Sequence, residues 1–427
     1  MVRIIYYTVI IMRNPILKTN QTASKDATDP SVAFVVRFGR ALHRYGLASN
    51  RIEDALTAVA SRLGSTGQFF ATPTAIFASL DHNGDNRTVL IRVEPGDVNL
   101  EKLSRLDELL RSVISGRIHP ADALRSVDEI DASRPRFGPV HVVAGFALAS
   151  ATASRFFGGG WREFIVCGLI GLCTGALATQ ASRSPGRFRV FEPLAAFLAG
   201  AIAAGATILL DPMSVFVATC AGLIVLIPGL TLTMAMSELA TRNLAAGTVR
   251  LGSATLVFLQ IAFGVAVGLR VGEKLFGAHM ATPPAALPDW TLAPALLLAA
   301  AAFTILFQAR LRDMGWIAAA GALSYVSARV GSELGGAPEI GAFVGALTLG
   351  LASNLHARLL NRPASVTLVP GIVLLVPGSV GFQSLSSLIA KDVVNGMEMA
   401  FTMGMIGVAL VTGLLLAGAI IMPKRSL

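Results

Sequence analysis

The chain has few charged residues: Asp, Glu, Lys and Arg together make up 14% of its 427 residues. Soluble domains carry about 25%, so this composition excludes a chain that is water-soluble along its whole length. The deficit is uneven, because residues 1–136 hold 18 basic and 15 acidic side chains, whereas residues 137–427 hold 17 and 11. The first third is therefore typical of a soluble domain, and the remainder of a membrane-embedded one.

Cysteines and catalytic signatures are also scarce. The three cysteines lie in apolar stretches and lack metal-ligand spacing: Cys167, Cys173 and Cys220. No Gly-x-Ser-x-Gly elbow, P-loop or His-Glu-x-x-His motif occurs. We therefore expect no enzyme activity, metal or cofactor, and a membrane-anchored hydrolase is the weaker alternative. Nucleic acid is not an expected partner, since the basic residues behind the net charge of +9 lie in short loops between apolar segments.

The first third of the chain predicts a flexible lead-in followed by a small α+β domain. We expect residues 1–30 to form a disordered tail, with Met12 as an alternative start to Met1. Residues 31–136 form the domain, which we place on the cytoplasmic side. Its predicted elements are a helix at 31–45, a helix at 51–63 capped by Ser49 or Asn50, strands at 68–80 and 88–93 joined by a hairpin turn at 81–86, and helices at 100–116 and 120–131.

Ten later segments are long enough, or nearly so, to span about 30 Å of hydrocarbon. They run over 138–157, 163–180, 192–210, 213–231, 250–270, 291–308, 314–331, 338–356, 364–385 and 399–422. A linker at 271–290 divides them into two five-helix halves, 137–270 and 291–427. The sequence thus predicts an α-helical polytopic membrane protein of about ten transmembrane helices, whose many Gly and Ala residues allow close helix packing.

The distribution of basic residues indicates an orientation. With the N-terminal domain inside, the inner regions carry 13 Lys and Arg residues and the outer loops carry six. The inner residues are Arg134, Arg136, Arg183, Arg187, Arg189, Arg242, Arg250, Arg310, Arg312, Arg358, Arg362, Lys424 and Arg425. This bias favours cytoplasmic positions for both termini of a multi-pass protein in the bacterial inner (plasma) membrane.

An internal repeat is the most informative pattern. The stretch IVLIPGLTLTMAMSELATRNLAAG at 224–247 aligns without gaps on VLLVPGSVGFQSLSSLIAKDVVNG at 373–396, so that Pro228-Gly229 falls on Pro377-Gly378. Each stretch lies in the fourth segment of a five-segment half, which predicts two inverted repeats. Proline removes a backbone donor and glycine adds freedom, so we expect each helix to break at its Pro-Gly pair.

Broken helices predict a binding site at the membrane midplane. Half-helix N-termini present free N–H groups that suit a carboxylate, although a plain proline kink without a ligand is the alternative. The candidate substrate-binding residues are Pro228, Gly229, Pro377, Gly378, Gln383, Glu238, Arg242 and Lys391.

Acidic residues near the membrane are candidates for proton coupling, because intramembrane carboxylates are costly unless used or paired. These candidates are Glu238, Glu192, Glu339 and Asp392. Each of two structural roles is an alternative to proton coupling for some of these residues. Glu238 and Arg242 have the i,i+4 spacing of a helix salt bridge, and Glu192 and Glu339 suit interfacial helix ends.

These features resemble the threonine/serine exporter family over nearly everything from Ser31 onward. The motifs that carry the resemblance are Tyr45-Gly46, Ser49, Arg51-Ile52-Glu53, Leu63-Gly64, Ala71-Thr72-Pro73-Thr74, Val93 to Leu103, Ile227-Pro228-Gly229 and Val376-Pro377-Gly378. The resemblance implies ten spans, a cytoplasmic N-terminal domain and export driven by the proton motive force.

The resemblance leaves the substrate less certain than the activity. A split branch of the family is linked to succinate, so a dicarboxylate exporter is the alternative to a threonine/serine exporter, and a channel stays open. The expected partners are membrane lipid, a small-molecule substrate and protons, and the sequence leaves a homo-oligomer open. The N-terminal domain is expected to be a regulatory or gating module.

Overall fold

The N-terminal domain has the predicted α+β composition. The computed structural model describes residues 30–82, 85–94, 96–182, 190–277 and 284–422, so the expected tail lies almost wholly outside the described residues. The domain comprises α1 (Pro30–Arg44), α2 (Ser49–Arg62), β1 (Thr66–Thr72), β2 (Ala75–His82), β3 (Asp85–Arg92), α3 (Leu100–Ile114) and α4 (Pro120–Ala132). All four helices lie within two residues of their predicted bounds.

The sheet differs from its prediction in strand number. It has three antiparallel strands in the order β1-β2-β3, whereas the sequence predicted two. The run at 68–80 is two strands joined by a tight turn at Pro73, across which Thr72 pairs with Ala75. Proline cannot donate a ladder hydrogen bond, so it ends the strand. The predicted hairpin turn at 81–86 includes residues 83–84, which lie outside the described residues.

The start of α2 also departs from its prediction. Neither Ser49 nor Asn50 is the N-cap; that residue is Ala48, which makes no side-chain cap. The buried Ser49 N–H donates instead to Oε1 of Glu238, 3.1 Å away in a later helix. A carboxylate there satisfies an orphan donor and complements the helix dipole. The N-terminal domain therefore depends on the rest of the chain to cap one of its helices.

The remainder of the described chain is helical. It comprises α5 (Pro139–Phe156), α6 (Trp161–Ala181), α7 (Phe191–Leu210), α8 (Val215–Gly222), α9 (Gly229–Ala240), α10 (Leu244–Phe276), α11 (Leu292–Leu306), α12 (Met314–Gly335), α13 (Pro338–Leu360), α14 (Ser365–Val373), α15 (Gly378–Ile389) and α16 (Val393–Ile420). Seven helical segments of the described chain are long and apolar enough to cross a membrane, and α14 with α15 counts as one of them. The chain is thus a membrane protein with several apolar helices.

Three of the ten expected segments do not meet that standard: α5, α12 and the α8–α9 pair. The pair α8–α9 is interrupted, which leaves each piece short. Helices α5 and α12 carry hydroxyl groups that are bonded inside the protein, such as Ser150 and Ser324. Buried polar contacts of this kind lower the hydropathy of a helix without exposing polar groups to lipid. The predicted linker also starts too early, because α10 continues to Phe276.

The order of elements repeats along the chain. Helices α5 to α10, and again α11 to α16, form three helices, an interrupted pair and a long helix. In each set the third helix packs along the last one. A Cβ on Gly264 would lie 2.4 Å from the carbonyl oxygen of Pro193, and one on Gly413 would lie 2.6 Å from that of Phe343. These glycines are 149 residues apart, the offset of the sequence repeat, so the repeat extends into helix packing.

The two interrupted pairs run in opposite directions relative to the N-terminal domain. That domain contacts α9 near its C-terminus, where Ser49 donates to Glu238. It also contacts the segment just before α14, where Arg111 of α3 donates to the carbonyl oxygen of Asn361. The pair α8–α9 therefore leads toward the N-terminal domain, and α14–α15 leads away from it.

The close helix contact predicts a specific loss of stability. Gly264→Val and Gly413→Val should each lower the free energy of unfolding by about 1–3 kcal/mol, because the added side chain meets a backbone carbonyl. Gly252→Val in α10 is the matched control, since a Cβ there meets nothing within 4 Å. Thermal unfolding in detergent micelles measures the effect. Equal midpoints for all three variants would contradict it.

Candidate functional site

Both Pro-Gly pairs interrupt a helix, as the sequence predicted. Helix α8 ends at Gly222 and α9 begins at Gly229, preceded by Pro228 with φ −80° and ψ 41°. The second pair repeats this geometry, because Pro377 precedes α15 with φ −78° and ψ 36°. The two breaks thus have the same backbone conformation at equivalent positions of the repeat.

The two breaks are in direct contact with each other. A Cβ on Gly229 would lie 2.2 Å from Cγ1 of Val376 and 3.8 Å from Cα of Gly378. A Cβ on Gly378 would in turn lie 2.6 Å from Cγ2 of Ile227. Real Cβ atoms do not approach other atoms so closely, so a side chain at either glycine would displace Val376 or Ile227. The two breaks therefore touch each other in this structure.

The backbone groups at the breaks differ in their partners. The helix N-termini after the breaks lack side-chain caps, whereas a carbonyl before each break accepts a serine hydroxyl. Helices α9 and α15 have 12 residues each, and neither has a side-chain cap at its N-terminus. On the other side of each break, Ser150 Oγ donates to the carbonyl oxygen of Gly222 at 2.9 Å, and Ser324 Oγ to that of Gly371 at 3.1 Å. Uncapped N-termini carry partial positive charge, which suits an anion.

The two serines are site residues that the sequence reasoning missed. Gly222 and Gly371 are 149 residues apart, so both hydroxyls bond to equivalent carbonyls. Ser150 and Ser324 themselves do not lie at equivalent positions, and the aligned repeat could not reveal them. The sequence pattern that could have identified them is a hydroxyl side chain within an apolar helix, because such a hydroxyl generally has a backbone or side-chain partner.

Glu238 lies far from the breaks. It is nine residues beyond Gly229 in α9, which places it about 14 Å along the helix axis. Its carboxylate is 1% exposed and accepts from Nε of Arg250 at 2.9 and 3.0 Å. The alternative salt bridge with Arg242 is wrong. Because α9 ends at Ala240, Arg242 lies in the next turn with φ 65° and does not share a helix face with Glu238.

The remaining charged candidates lie at helix ends. Lys391 has φ 65°, as Arg242 does, and is exposed. Asp392 is exposed and caps α16 by accepting from the Asn395 N–H at 3.3 Å. Glu192 and Glu339 are partly buried in the first turns of α7 and α13.

One neutral candidate lies nearer the break. Gln383 is on the second turn of α15, about 8 Å along the helix from Gly378, and is exposed. The structure therefore brings the two Pro-Gly pairs together but leaves Arg242, Lys391 and Asp392 at the far ends of the half-helices.

Motif residues of the N-terminal domain gather around Glu238. Glu53 accepts from the Ala71 N–H at 2.8 Å, and burial raises its pKa, with a smaller contribution from the Glu238 charge. His43 Nε2 lies 3.0 Å from the carbonyl oxygen of Thr72, and burial lowers the pKa of His43 to about 4, aided by the Arg250 guanidinium. This interdomain junction is defined here by His43, Ser49, Glu53, Glu238 and Arg250.

Two protein-family models together match most of the chain. A family model described as a threonine/serine exporter matches residues 33–272, and a second, described as Threonine/Serine exporter, ThrE, matches residues 294–420. The chain belongs to the threonine/serine exporter family. Each matched range contains one Pro-Gly break, and the first also spans the N-terminal domain. These matches confirm the resemblance noted in the sequence.

The chain is also similar to fungal proteins named pheromone-regulated membrane protein 10. The Candida albicans (strain WO-1) protein is 28% identical over 371 residues, covering 84% of this chain and 33% of its own length. The Yarrowia lipolytica protein is 29% identical, and the match covers 84% of this chain and 31% of that protein. The Saccharomyces cerevisiae protein is 27% identical, and the match covers 86% of this chain and 49% of that protein. The chain thus spans a third to a half of these relatives. No solved structure matches it significantly.

The contact between the two breaks predicts that larger residues at its glycines abolish export while the protein still inserts into the membrane. Gly229→Leu or Gly378→Leu should reduce efflux at least tenfold, because a side chain at either position pushes the breaks apart. Efflux from cells and the amount of protein in the membrane fraction are measured together. Gly404→Leu in α16 is the control, since a Cβ there meets nothing within 4 Å. Unchanged efflux in both break variants would refute a role for this contact.

The serine contacts predict a cost for removing one hydroxyl. Ser150→Ala and Ser324→Ala each leave a buried carbonyl without its partner, which costs about 1–3 kcal/mol. Thermal unfolding should show a lower midpoint for each variant than for Ser253→Ala, which alters an exposed serine of α10. Midpoints that match this control would mean that the carbonyls find other partners.

Proposed function

We propose that this chain exports threonine or serine across the plasma membrane, driven by the proton motive force. Membership of the threonine/serine exporter family supports export. The observation that carries the site is the contact between two uncapped helix N-termini at the Pro-Gly breaks. Such N-termini offer backbone N–H donors to a carboxylate, and every amino acid has one.

The proposed architecture is an inverted repeat of two five-helix halves. The opposite directions of α8–α9 and α14–α15 support it, as do the matched conformations of Pro228 and Pro377. The bias in basic residues favours a cytoplasmic N-terminal domain and cytoplasmic termini. Export then proceeds by alternating access, in which the halves rock around the breaks. Because Gly229 and Gly378 are in contact, substrate enters when the halves separate.

The substrate ammonium group needs an acceptor near the breaks. Glu238 is about 14 Å away along α9 and is already paired with Arg250. The backbone carbonyls of residues 223–227 and 374–376 are therefore better placed than Glu238. Gln383, within the second turn of α15, is the candidate side chain nearest to a bound substrate. Few contacts are available to so small a ligand, so affinity is expected to be moderate.

Proton coupling requires a carboxylate that can change its charge during transport. Asp392 is exposed and serves as a helix cap, and Glu238 is held by Arg250. Glu192 and Glu339 occupy the first turns of the third helix in each half and are partly buried. We take these two as the proton carriers, because carboxylates near the membrane are costly unless they are used or paired.

A dicarboxylate such as succinate is the second candidate substrate. The specific observation in its favour is that two helix N-termini meet at the site, one from α9 and one from α15. Each could bind one carboxylate. A zwitterionic amino acid would use one N-terminus and the neighbouring carbonyls instead.

Counterflow in proteoliposomes distinguishes these substrates. Vesicles containing the purified chain should exchange labelled threonine or serine, and an imposed pH gradient should accelerate net efflux at least severalfold. A protonophore should remove that acceleration, because it collapses the gradient without touching the protein. The Gly229→Leu variant is the matched inactive control. Movement of succinate without threonine or serine would overturn the amino-acid assignment, and flux that ignores the pH gradient would overturn proton coupling.

A further inference from the structure

The core of the N-terminal domain is continuous with the membrane helices. Its buried cluster includes Ala300 and Phe307 near the end of α11, Ala309 in the following turn and Ile317 in α12. Residues of both interrupted pairs pack against this shared cluster: Leu230, Met234, Val369 and Val373. Leu230 directly follows Gly229, so the cluster that contains the core of the N-terminal domain extends to the edge of the breaks.

The attachment to the second half is made mainly through backbone groups. The Leu100 N–H at the start of α3 donates to the carbonyl oxygen of Phe307 at 2.9 Å. The Glu101 N–H, in the same helix, donates to the carbonyl oxygen of Gln308 at 3.3 Å. Arg310 also pairs with Glu108 of α3 at 3.0 Å. Several bonds and a shared apolar core therefore fasten α3 to the α11–α12 connection.

The polar attachment to the first half is smaller and lies at the interdomain junction. There Glu238 receives the Ser49 N–H and the Arg250 guanidinium. The repeat does not require this pair, because the positions 149 residues later hold Ser387 and Met399. A charged pair present in one half alone, and bonded to the N-terminal domain, points to a role in holding that domain.

We propose that the N-terminal domain is a latch that bridges the two halves, and that the interdomain junction is its release point. This inference rests on the proposed function, since only a transporter with moving halves needs such a release. A domain fastened to both halves opposes their separation on its own side of the membrane. The junction can open readily, because Glu238 keeps Arg250 as its partner while water replaces the Ser49 N–H.

Locking the junction tests whether it must open during transport. Ser49→Cys with Glu238→Cys, in a background where the three native cysteines are replaced by alanine, can be joined by a short bis(methanethiosulfonate) cross-linker and released by reductant. The joined form should export at least tenfold more slowly than the same protein after reduction. Arg37→Cys with Asp128→Cys is the control, because these exposed residues pair at 2.6 Å within the N-terminal domain. Equal rates before and after reduction would overturn the latch.

A labelling experiment tests the latch without any substrate. Leu230→Cys in the same background reports access to the breaks through its reaction with a charged maleimide added from the side of the N-terminal domain. Glu238→Ser with Arg250→Met removes the junction without leaving an unpaired charge. It should raise the labelling rate at least tenfold. Ser387→Ala with Met399→Ala, at the equivalent positions of the second half, should leave the rate unchanged.

The two experiments separate failure of the latch from failure of the proposed function. If no form of the protein moves threonine, serine or succinate, the proposed function is wrong, and the labelling rate still decides whether the junction holds the domain in place. If transport occurs but labelling is the same with and without the junction, the latch is wrong and export stands.

Discussion

A helix that is interrupted inside a membrane loses backbone hydrogen bonds that no solvent can replace, and the rest of this structure depends on how that loss is met. The carbonyl groups before the breaks, at Gly222 and Gly371, receive serine hydroxyls from neighbouring helices. The N-termini after the breaks have no side-chain cap. Neighbouring helices therefore satisfy the carbonyl groups before the breaks, whereas the helix N-termini lie where the two breaks meet.

Glycine residues make possible both the contact between the breaks and the close packing of helices elsewhere in the membrane region. Lipid supplies no hydrophobic drive between helices, so close van der Waals contact and hydrogen bonds must hold them together. Gly229 and Gly378 allow the breaks to touch, and Gly264 and Gly413 allow the third helix of each set to lie against the last. Because these pairs share one sequence offset, the same packing solution serves both halves. The interdomain junction at Glu238 is the point at which this correspondence ends, since its ion pair has no counterpart in the second half.

The sequence predicted those features that depend on neighbouring residues. The breaks at Pro228 and Pro377 follow from the local chemistry of proline and glycine, and the helices of the N-terminal domain follow from apolar spacing. The third strand could also have been predicted from the sequence, because Pro73 cannot continue a strand. That proline lies inside the run at 68–80, which the sequence analysis treated as one strand. Span number was harder to predict, since α5 and α12 lower their hydropathy through hydroxyls whose partners are distant in the chain.

The partners of the polar groups were decided only by the tertiary structure. Glu238 and Arg242 have ideal spacing for a helix pair, yet the helix ends between them and Arg250 takes that place. The cap of α2 comes from a residue 189 positions away, which no local pattern can indicate. The sequence by itself therefore determined the family, the repeat and the positions at which helices break, because these are properties of short stretches. The tertiary structure alone decided that the two breaks touch and that Glu238 serves the N-terminal domain, because such contacts depend on which distant surfaces fold against each other.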